Sequence, residues 1–149
     1  MASRIIGCGN PFRRDDGAGP AVARALERLA PPGVEVRSAR GEGLDLLEAL
    51  AGTAWAIVVD AMRSGRRPGS IVRLESGDGL ERAGLPSSHG LGVVHAVRLS
   101  RSLGAAPERL EVYGIEGGDF GAGEGLTPAV RRAVDRLAGR LCRLCTRAD

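Results

Sequence analysis

The chain has 149 residues, 43% hydrophobic and 26% charged, which suits one globular domain over residues 1–149 and leaves no room for a second core. Formal net charge is +3, from 21 basic and 18 acidic residues. The arginines are scattered over expected helix faces and loops, so no nucleic-acid partner is expected. The opening "MASRIIGCGN" is too short an apolar run for a signal peptide, and no stretch approaches the roughly 20 apolar residues of a membrane helix. A cytoplasmic protein with no membrane partner is the resulting expectation. Three cysteines, Cys8, Cys142 and Cys145, form no disulfide framework.

Taken in chain order, the sequence alternates short strands and helices. Residues 4–7 are a short β-branched run ending in the glycine-rich loop "GCGNPFRRDDGAGP". Val22, Ala25, Leu26 and Leu29 then recur at helical spacing until "APPG" stops them. Residues 34–37 read as a second strand, with Leu44, Leu47 and Leu50 marking a short helix. The run 54–59 is continuously apolar, as in a central strand covered on both faces, and ends at Asp60. The connection "RSGRRPG" is too short for a crossover helix, so the strand at 70–75 is expected to run antiparallel to the third. Val93, Val94, Val97 and Leu103 mark one face of a helix, "RLEVYGIEG" supplies a fifth strand, and a long helix follows with Thr127 as N-cap and Pro128 at its first position. Val130, Val134, Leu137, Leu141 and Leu144 form its buried stripe. The sum is a three-layer α/β/α domain with a mixed sheet.

Open α/β sheets bind their ligands beyond the carboxyl ends of the strands. Three loops there carry chemistry: Asp15 and Asp16 after the first strand, Asp60 after the third, and His89 before the third helix. A phosphate cradle is disfavoured, because Phe12 occupies the third glycine position of a dinucleotide fingerprint, no P-loop ending exists, and two acids repel phosphate. Two carboxylates with an imidazole make an N,O set suited to zinc or nickel. Gly7, Gly9 and Gly17 let the loop turn sharply, and Asn10 can stabilise the turn through its side chain. The plainer alternatives are that Asp15 and Asp16 cap the first helix, that Asp60 is a turn acid, and that His89 is solvated. His95 is read as a packing or surface residue, and the single C-x-x-C of Cys142 and Cys145 as structural. Cys8 paired with His89 is a minor nucleophile option.

The glycine loop resembles the G-x-G-N-x-x-x-x-D-[DE]-G-x-G signature of the hydrogenase maturation proteases. "GEGLDLL", "VVDAM", "SSHGLG" and "VYGIEG" are similar, in the same order, to that family's later motifs. The resemblance implies a five-stranded sheet of order 2-1-3-5-4 with strand four antiparallel, and Asp16, Asp60 and His89 as metal ligands. Asp15 is not carried over as a ligand. The implied reaction is endoproteolysis of one bond near the C-terminus of the precursor of a nickel-iron hydrogenase large subunit. The nickel is then that of the precursor, with zinc or another divalent cation able to occupy the same ligands in isolation. The three residues either hold a catalytic ion, dock on the precursor's nickel, or act without metal through a carboxylate base. A metal-binding chaperone that senses nickel in a metalloenzyme precursor without cutting it is the alternative.

Overall fold

The computed structural model describes residues 2–40, 43–75 and 90–147. Among these, β1 (Ala2–Cys8) leads through a 3-10 turn (Arg14–Gly17) into α1 (Ala18–Leu29), followed by β2 (Val34–Ala39), α2 (Gly43–Leu50), β3 (Thr53–Met62), β4 (Ile71–Glu75), α3 (Gly90–Ser102), β5 (Arg109–Glu116) and α4 (Pro128–Arg147). The five strands form one sheet of order β2-β1-β3-β5-β4. The first four are parallel, and β4 runs antiparallel on β5. That is the order implied by the family resemblance, and the antiparallel direction of β4 is also the one expected from the short connection after Asp60.

Strand alternation sorts the core onto two faces. Ile5, Ile57, Val59 and Ile115 face α1 and α4, against Val22, Leu26, Val130, Val134, Leu137 and Leu141. Ile6, Cys8, Ala56, Val58 and Val112 face α2 and α3, against Leu46, Leu50, Val93 and Val97. Because β3 is central and parallel, all its residues but one are buried, which explains its unbroken apolar run. The sheet tolerates α1 so close because Gly19 has no side chain: a Cβ there would stand 2.1 Å from Cys8 O and 2.5 Å from Val59 O.

Several expectations are corrected. β3 does not stop at Asp60 but continues through Met62, because β5 extends alongside it and pairs Asp60 with Gly114 and Met62 with Glu116. Leu44, Leu103 and Leu29 are exposed, and the buried positions of α2 are Leu46, Ala49 and Leu50. α1 ends where Ala30 takes φ 47° and closes its N–H on Leu26 O, and Pro31 follows.

Candidate functional site

The site starts at the carboxyl end of β1. Gly9 donates to Ala39 O of β2 at 3.1 Å and holds φ +142°, a conformation open to glycine and strained for other residues. Asn10 forms the turn expected of it: its Oδ1 accepts Phe12 N–H at 2.9 Å and its carbonyl accepts Arg13 N–H at 3.1 Å. The chain then tightens through Arg14, at φ 46°, into the 3-10 turn that carries both acids. Gly17 has φ −80°, so it is needed for space beside Pro11 and not for left-handed backbone.

The two acids have different tasks. Asp16, 1% exposed, accepts Asn10 N–H on Oδ2 at 3.0 Å, so the loop holds its own carboxylate in place. Asp15 is fully buried, and its carboxylate accepts four donors from the segment between β5 and α4. These are Gly118 N–H at 2.8 Å, Asp119 N–H at 3.0 Å, Thr127 N–H at 2.8 Å and the Thr127 hydroxyl at 2.8 Å. Asp15 therefore clasps two loops together and does not cap α1. Thr127 does hold the N-cap position of α4, its carbonyl accepting Arg131 N–H at 2.9 Å, but its hydroxyl is engaged by Asp15.

Asp60 is fully buried, with Oδ1 accepting Ala61 N–H at 2.8 Å. The alternation of β3 turns it to the same face as Ala56 and Val58, the face covered by α2 and α3. The 3-10 turn bearing Asp16 packs against β3, so the fold brings the two carboxylates to adjoining elements at the carboxyl end of the sheet. His89 lies outside the described residues. The described chain resumes at Gly90 with α3, which covers the face that Asp60 occupies. Among the described residues, no group of three or more His, Cys, Asp or Glu stands ready to hold a metal. His95 is exposed on α3.

One acid escaped sequence reasoning. Glu116, 2% exposed at the end of β5, accepts the Ser64 N–H at 2.9 Å and the Ser64 hydroxyl, fixing the loop that leaves β3. Its signal was present: "GIEG" sets an acid at the end of an apolar run, as "VVDAM" does for Asp60.

Residues 20–144 match the family HycI, hydrogenase maturation protease. The chain belongs to the hydrogenase maturation protease family. Asp60 and His89 fall inside the matched span, whereas the glycine loop and Asp16 precede it. The hydrogenase expression/formation protein HupD of Rhodobacter capsulatus is 30% identical over 141 residues, covering 88% of this chain and 65% of that protein. This chain therefore corresponds to just under two thirds of that relative's length. The coenzyme F420 hydrogenase subunit delta of Methanothermobacter thermautotrophicus is 28% identical over 145 residues, 89% of this chain and 87% of that one. In three dimensions the chain is similar to the hydrogenase-maturating endopeptidase HybD from Escherichia coli, with TM-score 0.86 and 23% identity over 99% of this chain and 94% of that one. The [NiFe] hydrogenase maturation protease HybD from Thermococcus kodakarensis superposes with TM-score 0.75 at 23% identity, over 97% and 99% of the two chains.

A thiol nucleophile fits this chain poorly. Burial pushes the Cys8 thiol well above its ordinary pKa, and the charges of Asp60 and then Asp45 push it further up. The thiol stays protonated near neutral pH, and the thiolate is the nucleophilic form. Cys145 is buried against the α1 and α4 layer, with Cys142 partly buried beside it. A variant with all three cysteines replaced by alanine should cleave at the wild-type rate and lose about 1 kcal/mol for each buried sulfur. Lost cleavage in a folded Cys8→Ala variant would restore the thiol as a candidate nucleophile.

Gly9 answers for the loop's backbone. An added Cβ would stand 2.0 Å from Asp16 O, so the close approach is made by the loop to itself and not by a substrate. Gly9→Ala should cost about 2 kcal/mol or more from strain and should slow cleavage by displacing Asp16. Thermal melting and turnover are measured together; a variant normal in both would show that the loop is only a spacer.

Proposed function

We propose that this maturation protease hydrolyses one peptide bond near the C-terminus of the precursor of a nickel-iron hydrogenase large subunit, after nickel has been inserted there. Asp16, Asp60 and His89 supply the N,O donor set, and its chemistry fits the nickel that the precursor carries as well as a free divalent cation such as zinc. A metal held by these residues would supply Lewis-acid polarisation of the scissile carbonyl or of the attacking water. The protein's own groups hold the geometry. Asn10 N–H fixes the orientation of the Asp16 carboxylate, and Ala61 N–H fixes that of Asp60. A carboxylate oxygen orients the water, whose oxygen bonds to the carbonyl carbon as the C–N bond breaks and the proton passes to the leaving amine. The reaction belongs to the cytoplasm in this reading; no helix among the described residues is long and apolar enough to cross a membrane.

The observation that carries the proposal is the pair of buried carboxylates, Asp16 and Asp60, at the carboxyl end of the sheet in a chain of this family. Two carboxylates on adjoining elements offer oxygen donors of the kind that a divalent cation takes. Incubation with nickel-loaded precursor should produce a discrete C-terminal mass loss, with nickel-free precursor left intact. An unchanged mass for the nickel-loaded form would sink the proposal.

A further inference from the structure

A second feature adjoins the site on the opposite face of the sheet. Along α1, Ala21, Arg24 and Arg28 recur at helical spacing after its N-cap Gly17, and across from them α4 presents Arg131 and Asp135; together with Arg14 they line a cleft of about 290 Å³. Pro11 and Gly17 also line it, so its upper end reaches the loop that holds Asp16. Four arginines and one acid, Asp135, are among the residues that line the cleft. The guanidiniums of Arg24, Arg28 and Arg131 form no ion pair or hydrogen bond among the described residues. Arg14 reaches Asp119 at 3.6 Å, both about half exposed, a contact worth little in water. Arginine stays charged at any physiological pH and pairs carboxylates through a planar fork. Like charges gathered in a concave site raise the local concentration of anions.

Length and lining narrow the ligand. From Gly17 to Arg28 the helix rises about 16 Å at 1.5 Å per residue, the span of roughly five residues of extended chain. A single small anion would meet one or two of the arginines, whereas a chain carrying several carboxylates meets all of them. No aromatic ring lines the cleft, so stacked bases would find no platform there.

We propose that this cleft holds an acidic segment of the precursor in extended form, next to the bond that is cut. The source of the segment rests on the protease reading above; the acidic-peptide chemistry does not. The probe is a fluorescein-labelled hexapeptide with four central glutamates, compared with its glutamine counterpart by fluorescence anisotropy. The protein should bind the glutamate peptide about tenfold tighter or more, and the preference should collapse at roughly 0.5 M salt. Arg24→Gln with Arg28→Gln should remove the preference, whereas Arg40→Gln with Arg101→Gln, an equal loss of charge away from the cleft, should keep it. Surface arginine changes of this kind leave the melting temperature nearly unchanged. Equal binding of the two peptides, a preference surviving in the Arg24 and Arg28 variant, or tighter binding of a single-stranded oligonucleotide through these arginines would each overturn the assignment. With precursor as substrate, the Arg24 and Arg28 variant should raise KM about tenfold and leave kcat unchanged. An unchanged KM overturns the cleft and leaves the protease reading intact; no cleavage by the wild type, with peptide binding preserved, retires the protease reading and not the cleft.

Discussion

Asp16→Asn and Asp60→Asn are each expected to abolish processing of the nickel-loaded precursor while the protein stays folded. Asparagine keeps the shape of the side chain and one carbonyl oxygen. In the Asp16 variant that oxygen can still accept Asn10 N–H, and in the Asp60 variant it can still accept Ala61 N–H. What disappears is the negative charge, and with it the capacity to bind a cation or take a proton from water. Alanine is a poorer test here, since Asp16 and Asp60 are 1% and 0% exposed; it would leave a buried amide without its acceptor, at about 1–3 kcal/mol. Loss of activity could then reflect a loosened loop. The measurement is the C-terminal mass shift of the precursor, set beside a thermal melt within a few degrees of wild type. Processing retained in either asparagine variant removes that residue from the mechanism. His89→Ala is expected to show the same loss of processing.

The layers of the fold were legible because burial leaves a periodic trace. The apolar run in β3 and the stripe of α4 state which faces are covered, and the connection after β3 is too short to return a strand in parallel. Side-chain partners left no such trace. Asp15 and Asp16 are adjacent acids in one loop, and nothing in "RRDDG" distinguishes them. Their separation depends on donors more than a hundred residues away for Asp15 and on Asn10, six residues away, for Asp16. Leu44 and Leu103 were misplaced for a related reason. Helical spacing alone does not fix the rotation of a short helix or its frayed end against the sheet, and there Leu46 and Ser100 are the positions that turn inward. Gly19 passed unremarked in the loop because its role is a distance from the β1 and β3 carbonyls, which spacing does not encode.

The division of labour between the paired acids yields the largest expected change in stability. Asp15→Ala removes the acceptor of four hydrogen bonds from a fully buried position, leaving three backbone amides and one hydroxyl to find water or go without. Hydrogen bonds to a charged group and the stranded donors together set the cost at about 4 kcal/mol, a fall in melting temperature of roughly 10–15 °C for a domain of this length. Asp15→Asn is milder for a geometric reason. Its carbonyl oxygen can take the place of Oδ2, which serves Gly118, Asp119 and the Thr127 hydroxyl, so only the amide facing Thr127 N–H is mismatched, at about 1–2 kcal/mol. The Asp15→Asn variant should therefore process precursor normally below its melting temperature, whereas Asp16→Asn should melt normally and process nothing. This crossing pattern is specific to one acid that holds the site and another that works in it. A folded but inactive Asp15→Asn, or an Asp15→Ala that melts like wild type, would show that Asp15 does not serve as the clasp between the glycine-rich loop and the β5–α4 segment.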